Sequence, residues 1–395
     1  KMNPGKIVDA RPITADLRVG PDHHPWDPPT KLHYDSEDHG SFARAINRCV
    51  GVGKCRDEKS GTMCPSWRAT HEEEHSTRGR ARLLWEMLDG EVIRDGWRDE
   101  GVKEALDLCL ACKGCKHDCP VNVDMASYKA EFLAHYHEVH RYPRQAYAFG
   151  YIDLWSKLAE VAPGIVNAFS QHAPFDAIAK WMAGVHPARE IPKFAHKTFR
   201  RDFIENVQQG TESALSSRRR RDGEQLVLLW PDTFNDHFFP KILHAAADVL
   251  DAAGFVVDIP RARVCCGRPV YDFGMIDRGR RLLAHTLDVL GPYIDARVPV
   301  VFAEPSCMAV FLDELPALFP KSERAKVLSQ SCYTLAEFLE QRAPHAIPRS
   351  LDGETALVHG HCHEKALKKK NLEITAKALQ RTGLDVEALQ TGCCG

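Results

Sequence analysis

The sequence predicts an α plus α/β protein: a helical part that gathers seven cysteines, a helical connector, and a duplicated Rossmann-like α/β part whose second half is truncated. Three observations carry this. From Ser41 to about His135, apolar residues recur at helical spacing around the seven cysteines. After Asp222 the pattern changes to short apolar runs alternating with amphipathic helices. One theme then occurs twice, ending in Cys265-Cys266-Gly267 and Cys393-Cys394-Gly395; Gly254 precedes the first pair by eleven positions and Gly383 the second by ten.

In order along the chain, residues 1–40 are rich in Pro, Asp and His and are expected to be a tail and linker. Residues 41–135 form the cysteine-rich helical part. Within it, Ser76–Leu88 sets Leu83, Leu84, Met87 and Leu88 opposite Arg78, Arg80 and Arg82, which are expected to face solvent, with charge neutralisation at a metal site or partner docking as the alternative. Residues 136–222 are the connector, with aromatic-rich amphipathic helices expected to pack on neighbouring elements, contact with a membrane surface being the alternative. It closes on "SSRRRRDGE" (Ser216–Glu224), expected to be a solvated basic linker.

Residues 223–395 then divide into halves 223–345 and 352–395. The expected strands are "EQLVLLW", "GFVVDI", "VPVVFAE", "TALVHG" and "LDVEAL", with helices over Phe238–Leu250, Met275–Leu290 and Lys365–Arg381. The chain is expected to continue at both ends, because it opens at Lys1 and stops directly after a Cys-Cys-Gly motif.

A length of 395 residues allows two or three domains, and a formal net charge of −2 gives no nucleic-acid signal. No apolar run is long enough to span a bilayer and no secretory segment opens the chain. The expected location is the cytoplasm, or the inner membrane periphery. Fourteen clustered cysteines in such a chain point to metal or redox chemistry rather than disulfides.

"CLACKGCKHDCP" sets Cys109, Cys112, Cys115 and Cys119-Pro120 at C-x2-C-x2-C-x3-C-P. Three thiolates in one tight loop suit one [4Fe-4S] cluster, while the fourth, leaving on the proline side, ligates a neighbouring cluster. Zinc sites instead pair two-cysteine knuckles. Upstream, "CVGVGKCRDEKSGTMCP" repeats the grammar with Cys49, Cys55 and Cys64-Pro65. By reciprocal exchange Cys64 completes the cluster of Cys109, Cys112 and Cys115, and Cys119 joins Cys49 and Cys55. Val52 stands where a middle ligand is expected, so this second site suits a [3Fe-4S] cluster, or a [4Fe-4S] cluster with a non-cysteine fourth ligand. Its C-x5-C spacing resembles the three-iron site of succinate dehydrogenase iron–sulfur subunits. Two unligated thiols are the alternative.

The paired cysteines followed by glycine resemble the CCG domain of heterodisulfide reductase-like and glycolate-oxidase-like iron–sulfur subunits. That resemblance implies a lone Cys, then CCG, then a further cysteine, making Cys265, Cys266, Cys307, Cys362, Cys393 and Cys394 candidate cluster ligands. Cys362 is the lone Cys of the second half. In the first half "WPDTF" (Trp230–Phe234) has none, so three cysteines remain there and a cluster is left open. His359, His361 and His363 surround Cys362; hydrogen bonding is the expected role, metal ligation the alternative. Cys332 is expected to be an ordinary buried thiol at a helix start.

With these residues assembled, the chain resembles the C-terminal part of FAD-linked oxidases fused to iron–sulfur domains, the D-2-hydroxy-acid dehydrogenases of the glycolate, D-lactate and D-2-hydroxyglutarate type. "MNPGKIV" is similar to the end of their FAD-linked domain. "RCVGVGKCR", "GTMCPSWRAT", "EEEHSTRGRARLLWEML" and "CLACKGCKHDCPVNVDMASYKAEFL" are similar to their ferredoxin-like domain, and "CCGRP", "EPSC" and the final "CCG" to their CCG domain. The resemblance is weakest over 141–222. It implies an oxidoreductase in which FAD of an upstream domain takes a hydride from the substrate. Electrons then pass singly through the clusters to a quinone, a cytochrome or an electron-transfer flavoprotein. The chain alone, with no recognisable flavin site or catalytic residue, is not expected to oxidise a hydroxy acid. Two rivals are a heterodisulfide reductase-like unit acting at the CCG site and a non-catalytic, cluster-bearing docking subunit.

Overall fold

The computed structural model describes residues 9–10, 12, 19, 23–34, 36–59, 61–209, 225–347, 349–368, 370–389 and 392. "MNPGKIV", the basic stretch 216–224, Cys393 and Cys394 lie outside the described residues.

The cysteine-rich part is helical: α1 (Phe42–Asn47), α2 (Pro65–Thr70), α3 (Thr77–Asp89), α4 (Glu100–Asp107), α5 (Gly114–Asp118) and α6 (Met125–Tyr136). Each longer helix starts where a side chain takes an otherwise unpaired backbone N–H. Ser76 Oγ accepts from Gly79 N at 2.9 Å for α3, Asp99 from Val102 N at 2.8 Å for α4, and Asp124 from Ser127 N at 3.3 Å for α6. The predicted stripe of α3 turns inward: Leu84, Met87 and Leu88 are buried with Phe42, Ile46, Tyr128 and Phe132 in one core. Gly79 permits this packing, since a Cβ there would stand 1.9 Å from the carbonyl oxygen of Glu73.

Two expectations are corrected in this part. Arg80 does not face solvent: it is buried, donating to the carbonyl of Ala105 at 2.6 Å and to Ser66 Oγ at 2.9 Å. Residues 23–34 are packed rather than free. Leu32 and Tyr34 are in the core, Trp26 N bonds Leu88 O at 2.9 Å, and Lys31 N and Leu32 N donate to the buried Glu131 carboxylate. This strap ties α6 to the C-terminal part, where Arg280 donates to Lys31 O at 2.7 Å.

The connector is built from α7 (Arg144–Gly150), α8 (Ile152–Ala159), α9 (Pro163–Gln171) and α10 (Phe175–Ala183), followed by α11 (Phe199–Gln209). As expected, they pack on neighbouring elements, among them the α/β part. Their small residues face inward, with Ala146, Gly150, Ser156 and Ala159 buried, while many large apolar side chains from Tyr147 to Met182 stay exposed.

The α/β part opens with β1 (Gln225–Trp230), α12 (Thr233–His237), α13 (Pro240–Ala252), β2 (Phe255–Asp258), α14 (Arg268–Asp272), α15 (Ile276–Asp295) and β3 (Val300–Phe302). Next come α16 (Pro305–Ala309), a π turn (Val310–Glu314), α17 (Leu315–Leu318), α18 (Glu323–Gln330), β4 (Cys332–Thr334) and α19 (Leu335–Arg342). The sheet is all parallel in the order β2-β1-β3-β4, with Val227 opposite Val257, Leu229 opposite Val301 and Val301 opposite Tyr333. Its strands are apolar on both faces because helices cover both. Cys332 is buried as expected but begins β4 rather than a helix.

A second, two-stranded parallel pair joins β5 (Thr355–His359) to β6 (Asp385–Leu389) across α20 (Cys362–Leu367) and α21 (Asn371–Arg381). The single helix expected over Lys365–Arg381 is thus two, the first starting at Cys362. Lys368 ends it by turning its ammonium to Glu337 at 2.8 Å and to the carbonyl of Cys332 at 3.0 Å. Among the described residues, no helix is long and apolar enough to cross a membrane.

Candidate metal centre

The two cysteine loops of the helical part are curled by residues that leave the usual right-handed backbone region. Cys64 (φ 53°), Ala111 (φ 48°) and Lys113 (φ 58°) are all left-handed without being glycine, a conformation that costs free energy and persists where surrounding contacts impose it. The consequence is convergence. Cys64, Cys109, Cys112 and Cys115 line one small cavity with Thr77, Arg80 and Met125, so the described geometry brings together the four side chains read as one ligand set.

Cys49, Cys55 and Cys119 are buried in the same core as Cys64 and Cys115. The two segments are fastened by Asp118, whose carboxylate accepts from the backbone N–H of Thr62 and, at 3.1 Å, of Met63. Cys55 also hydrogen-bonds Cys64; the contact holds the Cys64 thiol up and the Cys55 thiol down. Among the described residues, no three His, Cys, Asp or Glu side chains are arranged to hold a single metal ion. The thiols meet as the lining of a cavity rather than at a point.

Their surroundings suit negative charge. The N-terminus of α3 serves both loops: Thr77 N donates to Cys64 Sγ at 2.9 Å, Thr77 Oγ1 lies 2.8 Å from the same sulfur, and Arg78 N donates to Cys55. The N-terminus of α6 adds Met125 N on Cys115. Helix N-termini carry partial positive charge and free N–H groups, so they stabilise thiolate sulfur. The Arg78 guanidinium stands by Cys49 and Cys55 and is anchored on Glu73 at 2.7 Å. Burial pushes the Cys115 thiol well up when nothing is bound to it. This donor set, thiolates held by amide N–H groups in an apolar enclosure, fits an iron–sulfur cluster.

The parallel sheet positions the next three cysteines. In its order the chain leaves β1 for β2 on one side and returns to β3 on the other, and open sheets of this kind place sites beyond the strand C-termini at such a switch point. Asp232 and Thr233 follow β1, Cys265 and Cys266 follow β2, and Cys307 follows β3. They meet there: Cys266 Sγ lies 3.0 Å from Cys307 Sγ, Cys265 hydrogen-bonds Cys266, and Thr233 Oγ1 is 4.0 Å from Cys265 Sγ. The hydrogen bond with Cys266 and burial push Cys265 well up, and Asp232 is pushed up by burial to about 6. "WPDTF" therefore contributes a carboxyl and a hydroxyl where the second half has Cys362.

Cys362 is buried at the start of α20, which packs between the cluster helix α5 and the Cys307 helix α16. His363 donates from Nε2 to the carbonyl of Ala111 at 3.2 Å, matching the expected hydrogen-bonding role. His359 Nε2 lies 3.1 Å from the carbonyl of Gly392, and Gly392 stands against Arg68 and Gly61 of the first cysteine loop.

Sequence reasoning missed the polar seam that joins the helical part to the α/β part. Lys113, fully buried, meets Glu314 at 3.1 Å, Asp124 at 3.7 Å and Asp313. Burial works against the charges of Asp124 and Asp313, but Lys113 and Lys116 outweigh it and hold both carboxyls below their ordinary range. Arg268, directly after the first Cys-Cys-Gly, bonds Glu314 at 2.7 Å and Ala111 O at 2.8 Å. Its place in "CCGRP" was the available signal.

Comparison with known proteins agrees with this geometry. Residues 45–123 match the family model of the 4Fe-4S dicluster domain, and residues 232–311 that of the cysteine-rich domain. The chain is 26% identical to D-2-hydroxyglutarate dehydrogenase of Pseudomonas putida, aligning over 100% of its own length and 41% of that protein. It thus spans about two fifths of the length of that relative. It is 22% identical to the glycolate oxidase iron-sulfur subunit of Escherichia coli, over 89% of this chain and 79% of that one. Lactate utilization protein A of Geobacillus thermodenitrificans is 30% identical over 43% of this chain and 71% of its own. No solved structure matches. The chain therefore belongs to the family of lactate utilization protein A and carries a 4Fe-4S dicluster domain and a cysteine-rich domain.

Proposed function

We propose that this chain is the electron-transfer portion of an FAD-dependent 2-hydroxy-acid dehydrogenase, working in the cytoplasm between a flavin domain and an external acceptor. The observation that carries the reading is the cavity lined by Cys64, Cys109, Cys112 and Cys115, with Cys49, Cys55 and Cys119 in the same core. In it Cys64, Cys109, Cys112 and Cys115 hold a [4Fe-4S] cluster, and Cys49, Cys55 and Cys119 hold a second. Such clusters supply one-electron redox chemistry at potentials that hydrogen bonds to sulfur and burial adjust.

The chain's own part is to fix that environment. The first N–H groups of α3 and α6 bind cysteine sulfur, Arg78 offsets negative charge beside Cys49 and Cys55, and the Arg80 side chain closes the cavity wall. The seam through Lys113, Glu314 and Arg268 sets the cysteine-rich domain against the dicluster loop, a placement suited to short electron steps between them. The hydroxy acid and its FAD belong to a partner or a further domain in this reading. Support comes from the named dehydrogenase and oxidase relatives.

The test is a single turnover. Chain reconstituted with iron and sulfide, mixed anaerobically with photoreduced flavin, should take up electrons and lose its visible cluster absorption. The same chain given D-lactate, glycolate or D-2-hydroxyglutarate without flavin should stay oxidised; oxidation of any of them by the chain alone contradicts the reading.

A further inference from the structure

Cys266 and Cys307 reach the C-terminal end of the parallel sheet from different strands, Cys266 after β2 and Cys307 after β3. Their sulfurs lie 3.0 Å apart, with Cys266 donating, and both residues are buried, at 4% and 8% exposure. Cys265, which is half-buried, donates in turn to Cys266, so the three thiols form one hydrogen-bonded row leading inward. A sulfur–sulfur bond is about 2.05 Å long, so a shift of about 1 Å joins the inner two.

The donor set here does not fit a cluster as that of the dicluster loops does. The place after β1, where the second half has Cys362 after β5, holds Asp232. Both of its carboxylate oxygens are engaged: Oδ1 accepts from Asn235 N at 2.9 Å and Oδ2 from Asn235 Nδ2 at 2.8 Å. The charges felt by Cys307 are carboxylates, those of Asp232 and Glu304. Arg268, two residues after Cys266, turns its guanidinium to Asp272, Glu314 and the Ala111 carbonyl instead. Burial beside carboxylates disfavours the thiolates that iron requires and favours uncharged sulfur, as thiol or as disulfide. The same Arg268 bond to Ala111, the residue before Cys112, connects this row to the dicluster loop.

We propose that Cys266 and Cys307 are a reversible dithiol–disulfide pair, a two-electron store beside one-electron centres. On oxidation each thiol gives up one proton and one electron and the S–S bond forms; on reduction that bond breaks, two electrons and two protons return, and two thiols result. The reductant is the reduced flavin of the proposed function, and the oxidant a two-electron acceptor of the quinone class, which leaves as hydroquinone. The pair itself stands apart from the electron-transfer reading; its use as a store rests on it.

The test treats the full chain, reconstituted with iron and sulfide, anaerobically with one equivalent of diamide, a diazene that takes two hydrogens from a thiol pair and becomes a hydrazine. Acid quenching, alkylation and tandem mass spectrometry then locate any linked cysteines. Cys266 should be found joined to Cys307, with iron and sulfide per chain unchanged, and photoreduced flavin should return both as alkylatable thiols. In coulometric titration Cys307→Ser should take up two electrons fewer per chain than the wild type at equal iron content. The mapping is made on the wild type, so it holds whether or not the variant folds. Thiols left unlinked, a link to any other cysteine, or iron lost as the link forms or in Cys307→Ser overturns the proposal, the last by making the pair cluster ligands. A linked pair in a chain that loads no iron supports the pair and contradicts the electron-transfer reading instead.

Discussion

The guanidinium of Arg268 donates to the carbonyl oxygen of Ala111 at 2.8 Å. One of these residues follows Cys265-Cys266-Gly267; the other sits between Cys109 and Cys112. The same carbonyl accepts from His363, which follows Cys362. A single backbone group in the dicluster loop is thus held by the residues that trail both cysteine sites of the α/β part.

Arg268 is buried and its charge is matched by Glu314, also buried. Arg268→Ala leaves Glu314 with only Lys113 and the Ala111 carbonyl with only His363. Losing one partner of a buried pair should destabilise the protein by about 3–5 kcal/mol. Urea unfolding checks this, and bound iron should fall in the same variant because the loop of Cys109, Cys112 and Cys115 loosens.

Gly79→Ala addresses the approach of α3 to the turn before it. With a Cβ only 1.9 Å from Glu73 O, the helix start must shift. Thermal or urea unfolding should show a loss of about 2–3 kcal/mol. Since Thr77 and Arg78 belong to that turn, cluster loading should drop as well.

How much of this was legible in the sequence varies by element. β1, β2, β3 and β5 announce themselves as apolar runs, β6 as an alternation of charged and apolar residues, and the stripe of α3 as helical periodicity. The three residues of β4 are too few for a pattern and contain a cysteine. Arg80 read as solvated because its acceptors, Ala105 O and Ser66 Oγ, come from other elements. The two cysteine loops of the helical part stood out by spacing, because cluster chemistry sets such spacing locally. The seam was not: Lys113 meets Asp313 and Glu314 only through the tertiary fold.

His237 supplies a pH dependence. Burial lowers its pKa to about 4, so the folded protein holds it neutral while the unfolded chain takes up a proton near the ordinary value of 6.5. Its stability contribution is complete above the unfolded value and is lost as pH falls from 6.5 toward 4. Asp236, pushed up by burial to about 6, acts in the opposite sense, so the single-residue effect is read as a difference. The stability of the wild type minus that of His237→Gln should fall by up to about 3 kcal/mol between pH 7 and pH 4, measured by urea unfolding at each pH.

The central claim is that two clusters share crossed ligands from two loops. Its most direct measurement is iron and sulfide quantification with EPR of oxidised and dithionite-reduced protein, for the wild type, Cys64→Ser and Cys119→Ser. The wild type should show signals of two clusters. Cys64→Ser should remove the reduced four-iron signal assigned to Cys109, Cys112 and Cys115, and Cys119→Ser the other signal. Loss of the same signal in both variants, or zinc in place of iron throughout, contradicts the account.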